Sequence, residues 1–377
     1  MDSVISTFKE RIKQAAANAQ VLRIQGGNTK HFYGEHDASH EVLDTRELTG
    51  VVSYEPSELV VTVRSGTPLS ELEQLLSTKG QCLAYEPPHF GAAATVGGMV
   101  AAGLAGPSRA NVGSVRDHVL GAKLINGLGE ELTFGGQVMK NVAGYDVSRV
   151  LAGSMGTLGL VTELSLKVLP VAPEEATLVC KLSQHDALEL LHRWGGQALP
   201  LNASAWLHDT TAQPAQDLLF VRLRGAVAAV ESACPRMIAD VQALGGSASR
   251  MDNAQAAKDW QACREQSLPF FHAPSTELCL WRLSLPQTAP VLNLPYATYI
   301  EWHGGVRWLW APASAATQLR EAAHAVGGHA TLFRRAQAGA SNTAVFSELP
   351  AVQQRIQREL QKQFDPHGVF NTGRLGI

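Results

Sequence analysis

The sequence predicts an α+β protein in two parts, and three observations carry that expectation. Of the 34 glycines, 21 lie before position 174, whereas all seven tryptophans lie at Trp194 or later. A break falls at Lys167-Val168-Leu169-Pro170-Val171-Ala172-Pro173-Glu174-Glu175. There, prolines follow an apolar strand and acids follow the prolines, as in a linker. Beyond the break, strand and helix patterns interleave without a strict parallel repeat, which suggests an antiparallel sheet with helices on one face. A chain of 377 residues also accommodates two domains more readily than one. The boundary is placed near Pro173.

The first part opens with an amphipathic helix over 3–19 and a short strand at 21–24. Residues 59–63 read as a buried strand. Thr67-Pro68 then offers an N-cap with proline at the first helical position. Leu69, Leu72, Leu75 and Leu76 line one helical face, Gly80 ends the helix, and Cys82 to Ala84 resumes as strand. A hairpin is expected at 119–125 and 131–134 around Asn126-Gly127, and 160–169 alternates as the last strand. In the second part, strands are expected at 177–182, 203–207, 218–223, 278–285, 297–302 and 306–310. Helices are expected at 187–194, 227–244, 254–265 and 314–326.

Composition narrows the function. A net charge of −3 gives no basic surface for nucleic acid. The N-terminal twenty residues are charged and lack the apolar core of a signal peptide. Five scattered cysteines with no CxxC pair fit a reducing cytoplasm, and neither a disulfide frame nor a zinc site. Residues 90–108 carry no charge and approach the roughly 20 apolar residues of a membrane span. Five glycines interrupt them, so membrane association is expected only through a partner.

Three loops carry the chemistry. In Gly26-Gly27-Asn28-Thr29-Lys30, a strand runs into glycines whose backbone can approach a ligand closely. Successive N–H groups there can form a concave anion nest. Taken alone, that loop is better explained as a plain surface turn. The second runs through His89, Phe90, Ala94, Thr95, Val96, Gly97, Gly98, Ala102 and Gly103. Its small residues would let a large flat ligand lie against the backbone, or a helix pack closely on a sheet. The third, Gly153-Ser154-Met155-Gly156-Thr157-Leu158-Gly159-Leu160-Val161, turns into a strand. No Walker-type phosphate loop occurs. Gly127-Leu128-Gly129 lacks the third glycine of a dinucleotide fingerprint and is better read as a hairpin turn. A bound nucleotide would therefore be held in a non-Rossmann manner.

These loops, in this order, resemble the FAD-binding domain of the vanillyl-alcohol oxidase / p-cresol methylhydroxylase flavoprotein family over about 15–172. Lys140-Asn141-Val142-Ala143-Gly144-Tyr145-Asp146 and the ending Phe364 to Arg374 add to the likeness. At its full length the chain is similar to the FAD-binding subunits of bacterial glycolate oxidases. The resemblance implies a flavin domain over 1–173, a cap over 174–335 and a segment over 336–377 returning to the flavin. Gly26, Gly27, Asn28, Thr29 and Lys30 would hold the pyrophosphate. His89, Ala94, Thr95, Val96, Gly97 and Gly98 would line the pyrophosphate and ribityl chain, with Ala102 and Gly103 along the flavin. Gly156, Thr157, Gly159 and Val161 would meet the adenine end. Asn371 and Arg374 would reach the flavin ring, where Arg374 would stabilise the reduced anion. Asn28 stands where covalent members carry a histidine, so FAD is expected to be non-covalent.

The resemblance also implies the function. FAD takes electrons from glycolate or another small 2-hydroxy acid, directly or through a catalytic FAD subunit, and passes them to an iron–sulfur subunit. The His-rich metal motif of the family's catalytic members is missing, and no metal is expected. His303 and Arg307, in Tyr299-Ile300-Glu301-Trp302-His303-Gly304-Gly305-Val306-Arg307-Trp308, are the candidate base and carboxylate partner. A hairpin with His303 exposed at its turn is the structural alternative. Tyr145 and Asp146 are expected to fix the loop before Gly153. Two other readings stay open: a self-sufficient 2-hydroxy-acid dehydrogenase, and an assembly subunit with a vestigial flavin site.

Overall fold

The computed structural model describes residues 2–35, 41–136, 146–338 and 342–376. The chain divides into two compact units whose sequences interleave. One comprises 1–105, 113–171 and 348–377, and the other 106–112 and 172–347.

In the first unit, helix Asp2–Ala17 buries Phe8, Ile12 and Ala15, a spacing that marks one helical face. They meet Leu22, Leu43, Leu48, Ile125, Leu160, Val369 and Phe370 in one apolar cluster. The main sheet is antiparallel, in the order Val51–Glu55, Val60–Arg64, Leu160–Lys167, Val119–Ile125 and Glu131–Gly135. The expected hairpin forms because Asn126 Oδ1 accepts from the amides of Leu128 and Glu130, an Asx turn.

One expectation is corrected at its bounds: strand is present at Gln81–Cys82 and not at 83–84, and it pairs with Leu169–Pro170 in a separate ribbon. Strand Leu22–Gln25 pairs in parallel with Glu41–Asp44, outside the main sheet. The uncharged stretch after Phe90 contains only the short helix Val96–Ala102, and no described helix is long and apolar enough to cross a membrane.

The C-terminal segment closes this unit. Helix Ala351–Phe364 leads to Asp365, whose carboxylate accepts from the amides of Val369 and Phe370 at 2.9 and 2.8 Å. The turn so fixed brings Val369 and Asn371 onto Leu22 by backbone hydrogen bonds at both of its polar groups.

The second unit is an eight-stranded antiparallel sheet. Its order is Ser247–Arg250, Glu174–Lys181, Gln216–Gly225, Leu201–Asp209, Thr298–Glu301, Val306–Pro312, Leu278–Ser284 and His329–Arg334. One face packs on helices Gln184–Gly195, Val227–Ala243 and Ala316–Ala325. Helix Asn253–Arg264 lies on the other face, so the helices are not confined to one side. There Trp260 donates to Thr177 Oγ1 at 3.0 Å, and Cys263 meets Glu301 and Tyr299.

Candidate functional site

A cavity in the first unit collects the end of strand Leu22–Gln25, the Gly26–Lys30 loop, the start and end of helix Val96–Ala102, Met155, Asn371 and Arg374. Of the expected cofactor residues, it is lined by Gly26, Gly27, Asn28, Thr29, Lys30, Thr95, Gly98, Ala102, Asn371 and Arg374. Asn28 is left-handed, with φ +59°, a conformation asparagine tolerates better than most residues. Among the described residues, the amides of Gly27, Asn28 and Thr29 donate to no protein acceptor. Backbone donors without partners sit in a cavity wall only where a ligand or water can satisfy them.

The charges lining the cavity agree with an anion. Arg23, Lys30 and Arg374 line it, and among the described residues no carboxylate does. Arg23 Nε and Gln25 Oε1 are buried without a partner. Arg374 donates to the carbonyls of His31 and Glu35 at 2.6 and 2.8 Å, so it shapes the loop as well as charging the cavity. Asn371 joins the segments. Its Oδ1 accepts from Ile24 N at 2.8 Å and its Nδ2 donates to Met155 O at 2.6 Å. A Cβ on Gly156 would lie 2.6 Å from that Nδ2.

Several glycines serve packing. A Cβ on Gly27 would fall 1.5 Å from the carbonyl oxygen of Ala93, and one on Gly97 2.7 Å from Ser65 Cβ. The two loops thus touch backbone to backbone, and only glycine allows that approach. Gly103, with φ +64°, abuts Gly153 in the same way. Thr95 caps its helix by accepting from Gly98 N at 3.2 Å.

The remaining expected residues stand away from the cavity wall. Ala94 and Val96 are buried. His89 pairs with Glu73 at 3.0 Å, and its carbonyl accepts from Lys30 Nζ at 3.1 Å. Thr157 bonds Ser154 O at 2.8 Å. Gly159 packs on Ile125, and Val161 lies in the central strand opposite Leu124. Asp146 pairs with Arg149 at 3.0 Å, while 140–145 of the same motif, Tyr145 included, fall outside the described residues. The cavity is also lined by Arg23, Ile24, Gln25, His31, Tyr33, Ala101 and Met155, which the sequence did not single out as cofactor residues. The signal for Arg23 and Gln25 was their period-2 spacing, which puts both on one face of a strand entering the loop.

In the second unit, His303 is not exposed at a turn. It is 5% exposed, with Nδ1 2.9 Å from Ser204 Oγ and Nε2 2.7 Å from Asn111 Nδ2. Burial lowers its pKa to about 4, so it is neutral near pH 7. Arg307 is buried on the helix-covered face, donating to the carbonyls of Pro290 and Ala289 at 2.6 Å each. On the opposite face, Glu301 accepts from Trp308 Nε1 at 2.7 Å and Cys263 Sγ at 3.1 Å. Burial raises its pKa to about 7. Among the described residues, the one group with metal-ligand spacing, His185, Asp186 and Glu189, lies near the surface of a helix.

The fold and the cavity agree with a flavoprotein of the FAD-binding oxidoreductase class, and the relatives of the chain show that class. A family model described as an FAD binding domain matches residues 5–135. The chain is 43% identical over 366 residues to glycolate oxidase subunit GlcE of Escherichia coli, covering 97% of this chain and 95% of that one. It belongs to that subunit's family, and its cofactor is FAD. It is also 31% identical over 147 residues to glycolate oxidase subunit GlcD of Bacillus subtilis, covering 39% of this chain and 31% of that one. An alkyldihydroxyacetonephosphate synthase structure matches with a TM-score of 0.68 at 14% identity, covering 96% of this chain and 73% of that one. That match speaks for the fold.

Proposed function

We propose that this chain is the FAD-carrying relay of a glycolate-oxidising complex, passing electrons from the acid, by way of a catalytic flavin subunit, toward an iron–sulfur subunit. The observation that carries this reading is the cavity: among the described residues it offers free amides at Gly27, Asn28 and Thr29, three cations and no carboxylate. The free amides would receive the diphosphate, with Arg23 and Lys30 balancing its charge. Bound FAD supplies a two-electron acceptor, and the protein's part is to hold and tune it. Arg374 adds positive charge on the cavity wall. FAD would be non-covalent, since Asn28 offers no nucleophile; His31, which also lines the cavity, makes denaturation of the loaded protein the deciding measurement. The discontinuous first unit is the flavin domain and the second the cap.

The relay reading, rather than self-sufficient catalysis, is favoured by His303 and Arg307. A base must reach a substrate proton at about 3 Å. Both ring nitrogens of His303 already face protein partners, and Arg307 is bound to backbone. The test is anaerobic addition of glycolate to the FAD-loaded chain, with and without a catalytic flavin subunit. Bleaching of the flavin band only with that subunit is expected, and bleaching by the chain alone overturns the relay reading. Absent flavin, with no uptake of added FAD, overturns the cofactor site.

A further inference from the structure

The face of the second sheet opposite its three packed helices carries a cation with no counter-charge among the described residues. Arg282 stands between Trp308 and Thr331 in the cross-strand register. Among the described residues it has no hydrogen bond or ion pair, and its Nε is buried without an acceptor. Two residues on, and so on the same face, Ser284 Oγ is likewise buried without a partner. The guanidinium of Arg282 lies 5.9 Å from the centre of the Trp302 ring, and that of Arg109 lies 4.5 Å from it. Glu301, the carboxylate one row away, is already closed by Trp308 and Cys263. Two neighbouring buried donors without acceptors are rare in a folded protein, and a missing ligand is one standard reason for them.

We propose that Arg282 and Ser284 form a receptor for the carboxylate of a small monocarboxylic acid, with Trp302 and Trp308 as its apolar walls. A guanidinium presents paired donors that match the two oxygens of a carboxylate. One unneutralised arginine beside a neutral hydroxyl suits a single negative charge better than a phosphate dianion. The site is distinct from Arg307, which the sequence singled out and whose guanidinium is bound to backbone. Given the proposed function, on which only the choice of acid rests, the ligand class is a short 2-hydroxy acid or its 2-oxo product. This subunit would then bind the acid even though His303 is not placed to deprotonate it.

The test is titration calorimetry of the FAD-loaded full chain with glycolate, acetate, ethylene glycol and inorganic phosphate. Saturable binding of the two carboxylates, and none of ethylene glycol, is expected. Arg282→Met should weaken glycolate at least about tenfold, as loss of a charge-assisted hydrogen bond does, and Ser284→Ala less. Arg282→Lys should restore part of the loss. No carboxylate binding, preference for phosphate, or equal affinity in Arg282→Met and Ser284→Ala overturns the proposal. Should Arg282→Met fail to fold, Arg282→Lys and Ser284→Ala decide it by the same comparison. Flavin absorbance recorded on each sample separates failure of this receptor from failure of the cofactor site.

Discussion

Replacing Glu301 by glutamine should make the second unit progressively more stable, relative to the unmodified protein, as pH rises. Glu301 is 5% exposed, and burial moves its pKa from 4.5 to about 7. The folded state therefore holds this proton more tightly than the unfolded state. Its contribution to stability is greatest below pH 4.5 and falls as pH rises toward 7, because in the unfolded chain this group ionises first. At 1.36 kcal/mol per pKa unit, the shift amounts to about 3 kcal/mol once both states are ionised. Glutamine has the same shape and can still accept from Trp308, but it does not titrate. His303 works in the opposite direction. Its folded pKa of about 4 lies below the ordinary 6.5, so its contribution is lost as pH falls from 6.5 toward 4. The two effects offset each other in the unmodified protein, and only the difference between variant and parent isolates Glu301. Urea unfolding at about pH 5 and pH 8, followed by tryptophan fluorescence, measures it. All seven tryptophans lie within 194–310 and hence in the second unit. A Glu301→Gln difference that is the same at both pH values would refute the reasoning.

Three further outcomes follow from the geometry. Gly27→Ala places a methyl 1.5 Å from a carbonyl oxygen, so the loops must part; FAD content after gel filtration should drop sharply, and full retention would contradict the close approach. Arg307→Met leaves two buried carbonyls without donors and should cost about 3 kcal/mol in denaturant unfolding, with glycolate affinity unchanged among the molecules that fold. Asp365→Ala removes the acceptor of two amides and should cost about 2 kcal/mol, with faster proteolysis after Phe364 as the readout.

The parts of the fold legible in the sequence were those with local causes. Leu160 to Lys167 alternates because both faces of a central strand are set by its neighbours, and Asn126-Gly127 specifies its own turn. Ser247–Arg250 and His329–Arg334 were not read as strands. They are sheet edges, where pairing comes from distant chain and the pattern is short. At the cofactor cavity the glycine loops were visible, but not the reason for each glycine. Gly27 and Gly97 answer to Ala93 and Ser65, contacts that no spacing in the chain encodes. Arg307 is a like case: a charge beside a His-Gly-Gly turn suggests chemistry, and in the structure its guanidinium donates to the carbonyls of 289 and 290. Arg282 lies inside a strand with no motif around it, and what sets it apart is that among the described residues its Nε has no acceptor.

The short excursion of 106–112 into the second unit has a consequence for biosynthesis. Trp302 Nε1 donates to Gly106 O at 3.0 Å and His303 faces Asn111, so residues made early wait for partners made some two hundred residues later. The first unit waits longer still, for the strand-like turn at 369–371 that completes the edge at Leu22. Domains on a ribosome usually fold in order of synthesis, N-terminal first. Here the second unit has its full sequence only at residue 347, and the first only with the segment 348–377. A chain cut short of residue 347 therefore leaves two incomplete units rather than one good one.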